Sequence, residues 1–195
     1  MSNKSYISAV VTAIILFKTP AAYAHAFVGE DVSWLAGLLH PLTGIDHVLA
    51  LLAVGLWGTQ QGGNRLWQLP VTFSSVMMLG AIVAQLGLLP LPSVEIGVGG
   101  SVLLLGLMLT FAARLSTFTT LLIVSFFALF HGYAHVGEIP GNMALASYLS
   151  GLLLTSLVLL CTGVMLGLWV RAVRYEELLR IGGLALGIAG GWLCM

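Results

Sequence analysis

The sequence predicts an all-α integral membrane protein, and three observations lead to that class. Of the 195 residues, 59% are hydrophobic and only 7% are charged. Apolar runs recur at lengths near the roughly 20 residues that a helix needs to cross the hydrocarbon core of a bilayer. The alternating pattern of a membrane β-barrel is absent from the sequence, so helices are the remaining structure that satisfies the backbone in lipid.

A secretory signal peptide is predicted at residues 1–24. Lys4 precedes a short apolar run, and the small-x-small sequence AYA at residues 22–24 provides a cleavage site. Cleavage there would make His25 the mature amino terminus and leave residues 25–195 as a single membrane domain. An amino-terminal anchor that is not cleaved is the alternative.

Six helical segments follow, and they predict a six-helix transmembrane bundle. Their bounds are about residues 33–58, 67–89, 94–113, 117–137, 143–170 and 178–194. The connections between them are too short to bury the core of a separate soluble domain. Because Pro41 removes a backbone donor and Gly44 permits local unwinding, the first of these helices is expected to be kinked or broken.

The distribution of charge predicts how this bundle is oriented in the membrane. All cations of the mature chain fall in or beside one set of connections, and they are Arg65, Arg114, Arg171, Arg174 and Arg180. The positive-inside rule puts these connections in the cytoplasm and both mature termini on the extracytoplasmic side. Acidic residues such as Glu95 fall at the opposite ends, where a negative field would attract cations.

Two groups of ionisable residues lie within apolar segments. Such residues are costly in a membrane and usually mark an ion path, a proton relay or a ligand site. The first group is His40, Asp46 and His47 in the first helix. Its histidines are seven residues apart, about two helical turns, and would share one face of a continuous helix. A break in the helix would bring Asp46 toward them.

The second group is His131, His135 and Glu138 in the fourth helix. Offsets of four and three residues place the three side chains on one stripe. Judged by depth along the helices, His40 is expected to meet His131, with His135 and Glu138 nearer the outer mouth. A terminal His25 would lie on the same outer side, where its imidazole and free amine could capture a metal.

These residue types predict metal binding. Imidazole suits nickel, cobalt, zinc and copper, and a carboxylate adds charge or orients a histidine. The candidate metal ligands are His25, His40, Asp46, His47, His131, His135 and Glu138. Polar packing is the competing interpretation of the embedded groups, and Cys161, alone in an apolar helix, is better interpreted as a packing residue. We expect no enzymatic activity, organic cofactor or nucleic-acid partner.

At these residues the chain resembles the HupE/UreJ family of small membrane permeases and accessory proteins associated with nickel supply, some members being linked to cobalt. The likeness rests on HPLTGIDHVLA at residues 40–50 and FHGYAH at residues 130–135, and it extends over the six-helix layout. It implies uptake of Ni²⁺, with Co²⁺ next, from the periplasmic side. The ligand types alone leave Zn²⁺ as a further alternative. Besides the ion and the lipid bilayer, a metallochaperone or a second copy of the chain is a candidate partner.

Two positions depart from the family pattern. Family members often have glycine directly after the second histidine of the fourth helix, whereas this chain has Val136 and then Gly137. They also often carry a histidine in the fifth helix, where residues 157–161 contain none. The second departure bears on metal choice and on transport.

Other functions stay open from the residues alone. An intramembrane zinc hydrolase would use three of the embedded ligands and an acid that activates a bound water. The apolar sequence that follows His47 favours such a closed site over a path through the membrane. A metal-binding accessory membrane protein and a haem protein with facing histidines are the remaining interpretations.

Overall fold

The computed structural model describes residues 30–137, 139 and 144–195. These residues form seven α-helices and no strand. In chain order the helices are α1 Glu30–Thr43, α2 Ile45–Gln61, α3 Arg65–Gln85, α4 Val94–Thr110, α5 Thr117–Gly137, α6 Leu145–Ala172 and α7 Glu177–Leu193. The predicted signal peptide, His25 and Glu138 lie outside the described residues.

The first predicted span is broken at Gly44. The two helices that meet there, α1 and α2, are bent by 78°, and Gly44 itself has extended backbone angles, with φ −96° and ψ 111°. Pro41 lies inside α1, so the helix continues past the proline and breaks three residues later. The expected break is therefore present, and it falls at the glycine.

Three helices, α3, α5 and α6, are long and apolar enough to cross a membrane, and the bent pair of α1 and α2 makes a fourth span if it counts as one. The remaining two, α4 and α7, have 17 residues each. At about 1.5 Å per residue they reach roughly 25 Å, somewhat less than the hydrocarbon core of about 30 Å. The chain is a helical membrane protein, and six spans stay a prediction.

Apolar side chains on the outside of the helices fit a surrounding of lipid. More than half of the surface of each of these side chains is exposed: Leu79, Leu122, Phe126, Val158, Met165 and Ile188. Soluble monomers rarely expose apolar surface on so many elements. The exposed faces are therefore those that we expect to contact acyl chains.

The helices pack through close contacts at glycine. The most extensively packed pairs are α3 with α5, α4 with α7, and α6 with both halves of the bent pair. A Cβ at Gly132 would overlap the backbone of Met77, and one at Gly163 would overlap the backbone of Leu52. Gly183 of α7 faces α4 in the same way. These glycines let neighbouring helices of one chain approach each other.

Polar contacts join several helices at one end of the bundle, called the arginine end below. Arg171 donates to the carbonyl oxygen of Thr59 at 2.6 Å. Arg65 donates to Gln61 Oε1 at 2.9 Å and to Thr117 Oγ1 at 3.2 Å. The ends of α2, α3, α5 and α6 that carry these residues therefore meet.

Most of the side chains that fill the bundle between the arginine end and Gly44 are apolar. The largest are Trp57 and Phe73, both 0% exposed. Around them lie Leu51, Val54, Leu69, Leu105, Leu109, Leu152 and Leu160. Along α2, polar residues occur only near its two ends, at Asp46 and His47 and at residues 59–61.

Candidate metal centre

The break at Gly44 folds the polar residues of α1 and α2 together. In a continuous helix, seven residues would separate His40 and His47 by about 10 Å along the axis, but their ring centroids are 6.1 Å apart. A Cβ at Gly44 would lie 2.8 Å from both Asp46 Oδ1 and His47 Nδ1. Because Gly44 has no side chain, the side chains of Asp46 and His47 have space to contact each other.

Four histidine rings meet at this bend and form what we call the histidine cluster: His40, His47, His131 and His135. The ring centroid of His47 lies 4.5 Å from that of His135 and 5.2 Å from that of His131. His40 lies 4.8 Å from His135. His131 and His135 are each 1% exposed and His47 is 7% exposed, whereas His40 is partly exposed. The cluster is therefore buried on the α5 side and reachable near α1.

The ring contacts differ from the expected arrangement by one turn of α5. We expected His40 to meet His131, but the His40 ring packs against His135, and His131 packs against His47. The bend is the reason, because α2 leaves Gly44 at 78° to α1 and keeps His47 beside His40. The expected inward path, with His40 first and His47 deeper, is therefore not observed. The histidines form a compact cluster instead.

Hydrogen bonds orient two of the imidazoles. Asp46 Oδ1 accepts from the backbone N–H of His47 and lies 2.8 Å from His47 Nδ1. His131 Nδ1 lies 3.0 Å from the carbonyl oxygen of Phe127. Because a carbonyl oxygen and an ionised carboxylate only accept, Nδ1 carries the proton in both rings. The lone pair of each ring is then on Nε2.

Three ring nitrogens of the cluster are buried without a hydrogen-bond partner. They are His47 Nε2, His131 Nε2 and His135 Nδ1. An unpaired buried polar atom costs about 1–3 kcal/mol, so three of them in one cluster call for a functional explanation. Histidines that bind metals have the arrangement seen at His47 and His131, with one ring nitrogen held by a carboxylate or carbonyl and the other left for the ion.

The histidine cluster does not have the ligand geometry of a metal site in this structure. Within residues 30–137, 139 and 144–195, no group of three or more His, Cys, Asp or Glu side chains is arranged to hold a metal. Imidazoles bound to one tetrahedral ion through bonds of about 2.0–2.1 Å have ring centroids roughly 5 Å apart. The four ring pairs that are in contact have centroid separations of 4.5–6.1 Å, which bracket that value. The spacing of these four ring pairs is therefore close to that of imidazoles that share one ion.

Two aromatic side chains border the histidine cluster. Phe73 of α3 packs against His131 with ring centroids 5.2 Å apart. Tyr148 of α6 lies 5.8 Å from His40. Both side chains are buried. Sequence reasoning did not single them out, because one aromatic residue in an apolar helix has the same pattern as any other core residue.

The fold and the site define a class, a helical membrane protein with a cluster of histidines at a broken helix. The family model described as HupE / UreJ protein matches residues 12–193. Protein HupE of Rhizobium leguminosarum bv. viciae is 34% identical over 191 residues, which cover 95% of this chain and 97% of that protein. No solved structure is significantly similar to the chain. The protein belongs to the HupE/UreJ family, as the motifs at residues 40–50 and 130–135 predict.

Proposed function

We propose that this protein is a permease for Ni²⁺, with Co²⁺ as the second candidate, in the bacterial inner membrane. The observation that supports it most is the pair of buried imidazoles, His47 and His131, each held through Nδ1 and each with an unpartnered Nε2. Imidazole nitrogen suits both metals. The carboxylate of Asp46 supplies negative charge beside the rings. Membership of the HupE/UreJ family, which is linked to nickel or cobalt transport or to an accessory function, supports the same cargo.

The direction of transport is proposed from the two ends of the bundle. The positive-inside rule assigns the arginine end to the cytoplasm, so the partly exposed His40 and Asp46 lie toward the outside. Six spans with both mature termini outside, after removal of residues 1–24, complete the proposed layout. His25 and Glu138, which lie outside the described residues, are proposed to bind the ion before it reaches the histidine cluster.

Imidazoles replace the hydration shell of the ion as it enters the membrane. Moving a bare divalent ion into an apolar medium is very costly, and the ring nitrogens and the Asp46 carboxylate offset part of that cost. His40 and Asp46 are reachable first, and the buried His135, His47 and His131 follow. Ions are therefore proposed to exchange water for nitrogen ligands within one cluster, and not at a series of separate sites along the membrane normal.

Uptake of radioactive metal tests this function directly. Metal-limited cells that express the native chain are expected to accumulate ⁶³Ni above the level of cells with an empty vector, and ⁵⁷Co to a smaller extent. Cys161→Ala is the control, because Cys161 is exposed on α6 and has no role in the proposal. Absence of uptake by an inserted protein that still binds the metal would favour an accessory protein, and metal-dependent hydrolysis would favour the zinc enzyme.

Replacing Gly44 by alanine is expected to lower ⁶³Ni uptake roughly tenfold. Mutation of a group that orients a metal ligand typically costs about 10–100-fold in metal affinity or activity, and we expect the lower end of that range. The new Cβ would lie 2.8 Å from Asp46 Oδ1 and His47 Nδ1 and force the pair apart. The φ of −96° suits alanine, so the amount of protein in the membrane should be unchanged. Gly100→Ala is the matched control, because a Cβ there meets nothing within 4 Å. Equal uptake by Gly44→Ala and Gly100→Ala would show that transport does not depend on the contact between Asp46 and His47.

A further inference from the structure

A pocket lies at the arginine end of the bundle, beside the start of α7. Its lining comes from the end of α2, the connection between α4 and α5, the end of α6 and the start of α7. Its volume is about 240 Å³, and the polar side chains that line it are Gln60, Arg114, Arg171, Glu176, Glu177 and Arg180. Four parts of the chain therefore meet around one small space.

The pocket follows from the way in which α7 packs. Helix α7 packs extensively on α4, whereas its contacts with α2 and α6 are few. Gly183 makes the close approach to α4 possible, because a Cβ there would lie 2.6 Å from the backbone nitrogen of Thr110. A gap is therefore left between α7 and α6 at the arginine end, and the pocket occupies it.

The charge of the lining favours an anion. Three arginines and two glutamates line the pocket, so three positive charges against two negative ones leave +1. Glu176 and Glu177 stand at the start of α7, where acids are favourable because of the helix dipole. Arg180 is also in the first turn, where its charge has the unfavourable sign. The arginines therefore lack the local explanation that the acids have, and the net charge repels a divalent cation.

Two of the three guanidinium groups have no partner within the protein. Arg171 donates to the carbonyl oxygen of Thr59 at 2.6 Å and lies 3.8 Å from Glu176 Oε1. Among the residues that the structure describes, Arg114 and Arg180 make no hydrogen bond or ion pair, although carboxylates line the same pocket. Both side chains are exposed. Arginine carries a planar fork of donors that matches the oxygens of a phosphate group.

Apolar side chains around the pocket indicate that a phosphate group there belongs to a lipid. Phe111 follows the last residue of α4 and Tyr175 precedes α7, and aromatic residues at helix ends are typical of the membrane surface. On α7, Leu184 and Ile188 follow Arg180 at steps of four residues and so share its side of the helix. Each of these four side chains is more than half exposed. A charged pocket thus continues into an apolar surface.

We propose that the pocket binds the phosphate group of an anionic phospholipid such as phosphatidylglycerol, with Arg114 and Arg180 in contact with the phosphate and Arg171 adding charge. Basic pockets between membrane helices suit lipid headgroups. Pockets for drug-sized ligands are typically about 300–1,000 Å³, so 240 Å³ suits a headgroup better than a larger anion such as a nucleotide. This inference goes beyond the proposed function, and it holds whichever ion the chain transports.

Lipid binding to the purified protein in a nonionic detergent tests the proposal. Native mass spectrometry gives the Kd for phosphatidylglycerol and for phosphatidylcholine, which has no net charge. One arginine near the membrane surface contributes about fivefold to the binding of an anionic lipid. We therefore expect phosphatidylglycerol to bind about 25-fold more tightly, Arg114→Gln and Arg180→Gln each to lose about fivefold, and the double variant to bind both lipids alike. Phosphatidylglycerol should raise the thermal unfolding midpoint of the native chain but not of the double variant.

Arg174→Gln is the matched control, because it removes the same charge from the same end of the bundle. Arg174 is exposed and lies outside the lining of the pocket, and we expect its replacement to change the Kd less than about twofold. Equal affinity of the native chain for the two lipids overturns the proposal. An equal loss in Arg174→Gln and Arg180→Gln also overturns it, because binding would then depend on the overall charge of this end.

Inorganic phosphate separates the two sources of a phosphate group. We expect millimolar phosphate to leave the Kd for phosphatidylglycerol unchanged, because the free anion lacks the contacts of an acyl chain with α7. Displacement of the lipid by phosphate at a concentration similar to that of the lipid would overturn the lipid as the ligand. The pocket would then bind a soluble anion.

Discussion

His131→Leu is expected to reduce ⁶³Ni uptake to the background of cells without the protein, and His47→Leu is expected to do the same. These two histidines provide the oriented rings of the cluster, each with a buried Nε2 that has no partner. A leucine in either position removes a ligand that the remaining rings do not replace. Uptake is measured at equal abundance of protein in the membrane, over a range of Ni²⁺ concentrations.

The same two variants separate metal binding from polar packing. If the histidines served packing, replacing them would remove favourable contacts and lower the thermal unfolding midpoint in detergent. If they are kept for an ion, a leucine removes an unsatisfied polar atom, and the midpoint without added metal should stay the same or rise. Leu122→Ala is the control on α5, because Leu122 is exposed and far along the helix from His131. Uptake near the native level in His131→Leu would show that the ion does not bind at the histidine cluster.

Much of the cluster could be predicted from the sequence. Apolar runs locate the helices, and ionisable residues within them are rare enough in membranes to be noticed. Pro41 and Gly44 predict the break, because one removes a donor and the other relaxes the backbone. Four of the predicted histidine ligands are brought together by the structure. The reason is that polar groups at similar depth in a small bundle pack against one another, because the alternative is contact with lipid or with apolar side chains.

The packing of the rings could not be predicted, because it depends on an angle between helices. Helical periodicity gives the direction of a side chain within one helix, but the 78° bend results from contacts of α2 with α3, α4 and α6. A straight helix would carry His47 inward, and the bent one keeps it beside His40. Because of this bend, His40 contacts His135 and not His131, and His131 contacts His47.

Asp46→Asn is expected to lower ⁶³Ni uptake by about 10–100-fold, the range typical of losing a group that orients a metal ligand. The change is nearly isosteric, so the fold should not respond. An asparagine amide can donate to His47 Nδ1, and the ring then carries its proton on Nε2, where it no longer has a lone pair for the ion. The substitution also removes the negative charge that offsets the charge of Ni²⁺. Asp46→Glu, which keeps the charge and moves the oxygens, should retain more activity than Asp46→Asn.

Comparison of Asp46→Asn with Asp46→Glu distinguishes the two roles of this carboxylate. Both variants disturb the orientation of His47 and should raise the concentration for half-maximal uptake, because His47 binds the ion less well. Only Asp46→Asn also removes the charge, so the part of the loss that Asp46→Glu recovers is due to the charge. Glu177→Gln is the control, since Glu177 is an exposed acid at the start of α7 and its loss changes the charge equally. If Asp46→Asn transported as the native chain does, the imidazoles alone would hold the ion. The short contact between Asp46 and His47 would then serve only to stabilise the bend at Gly44.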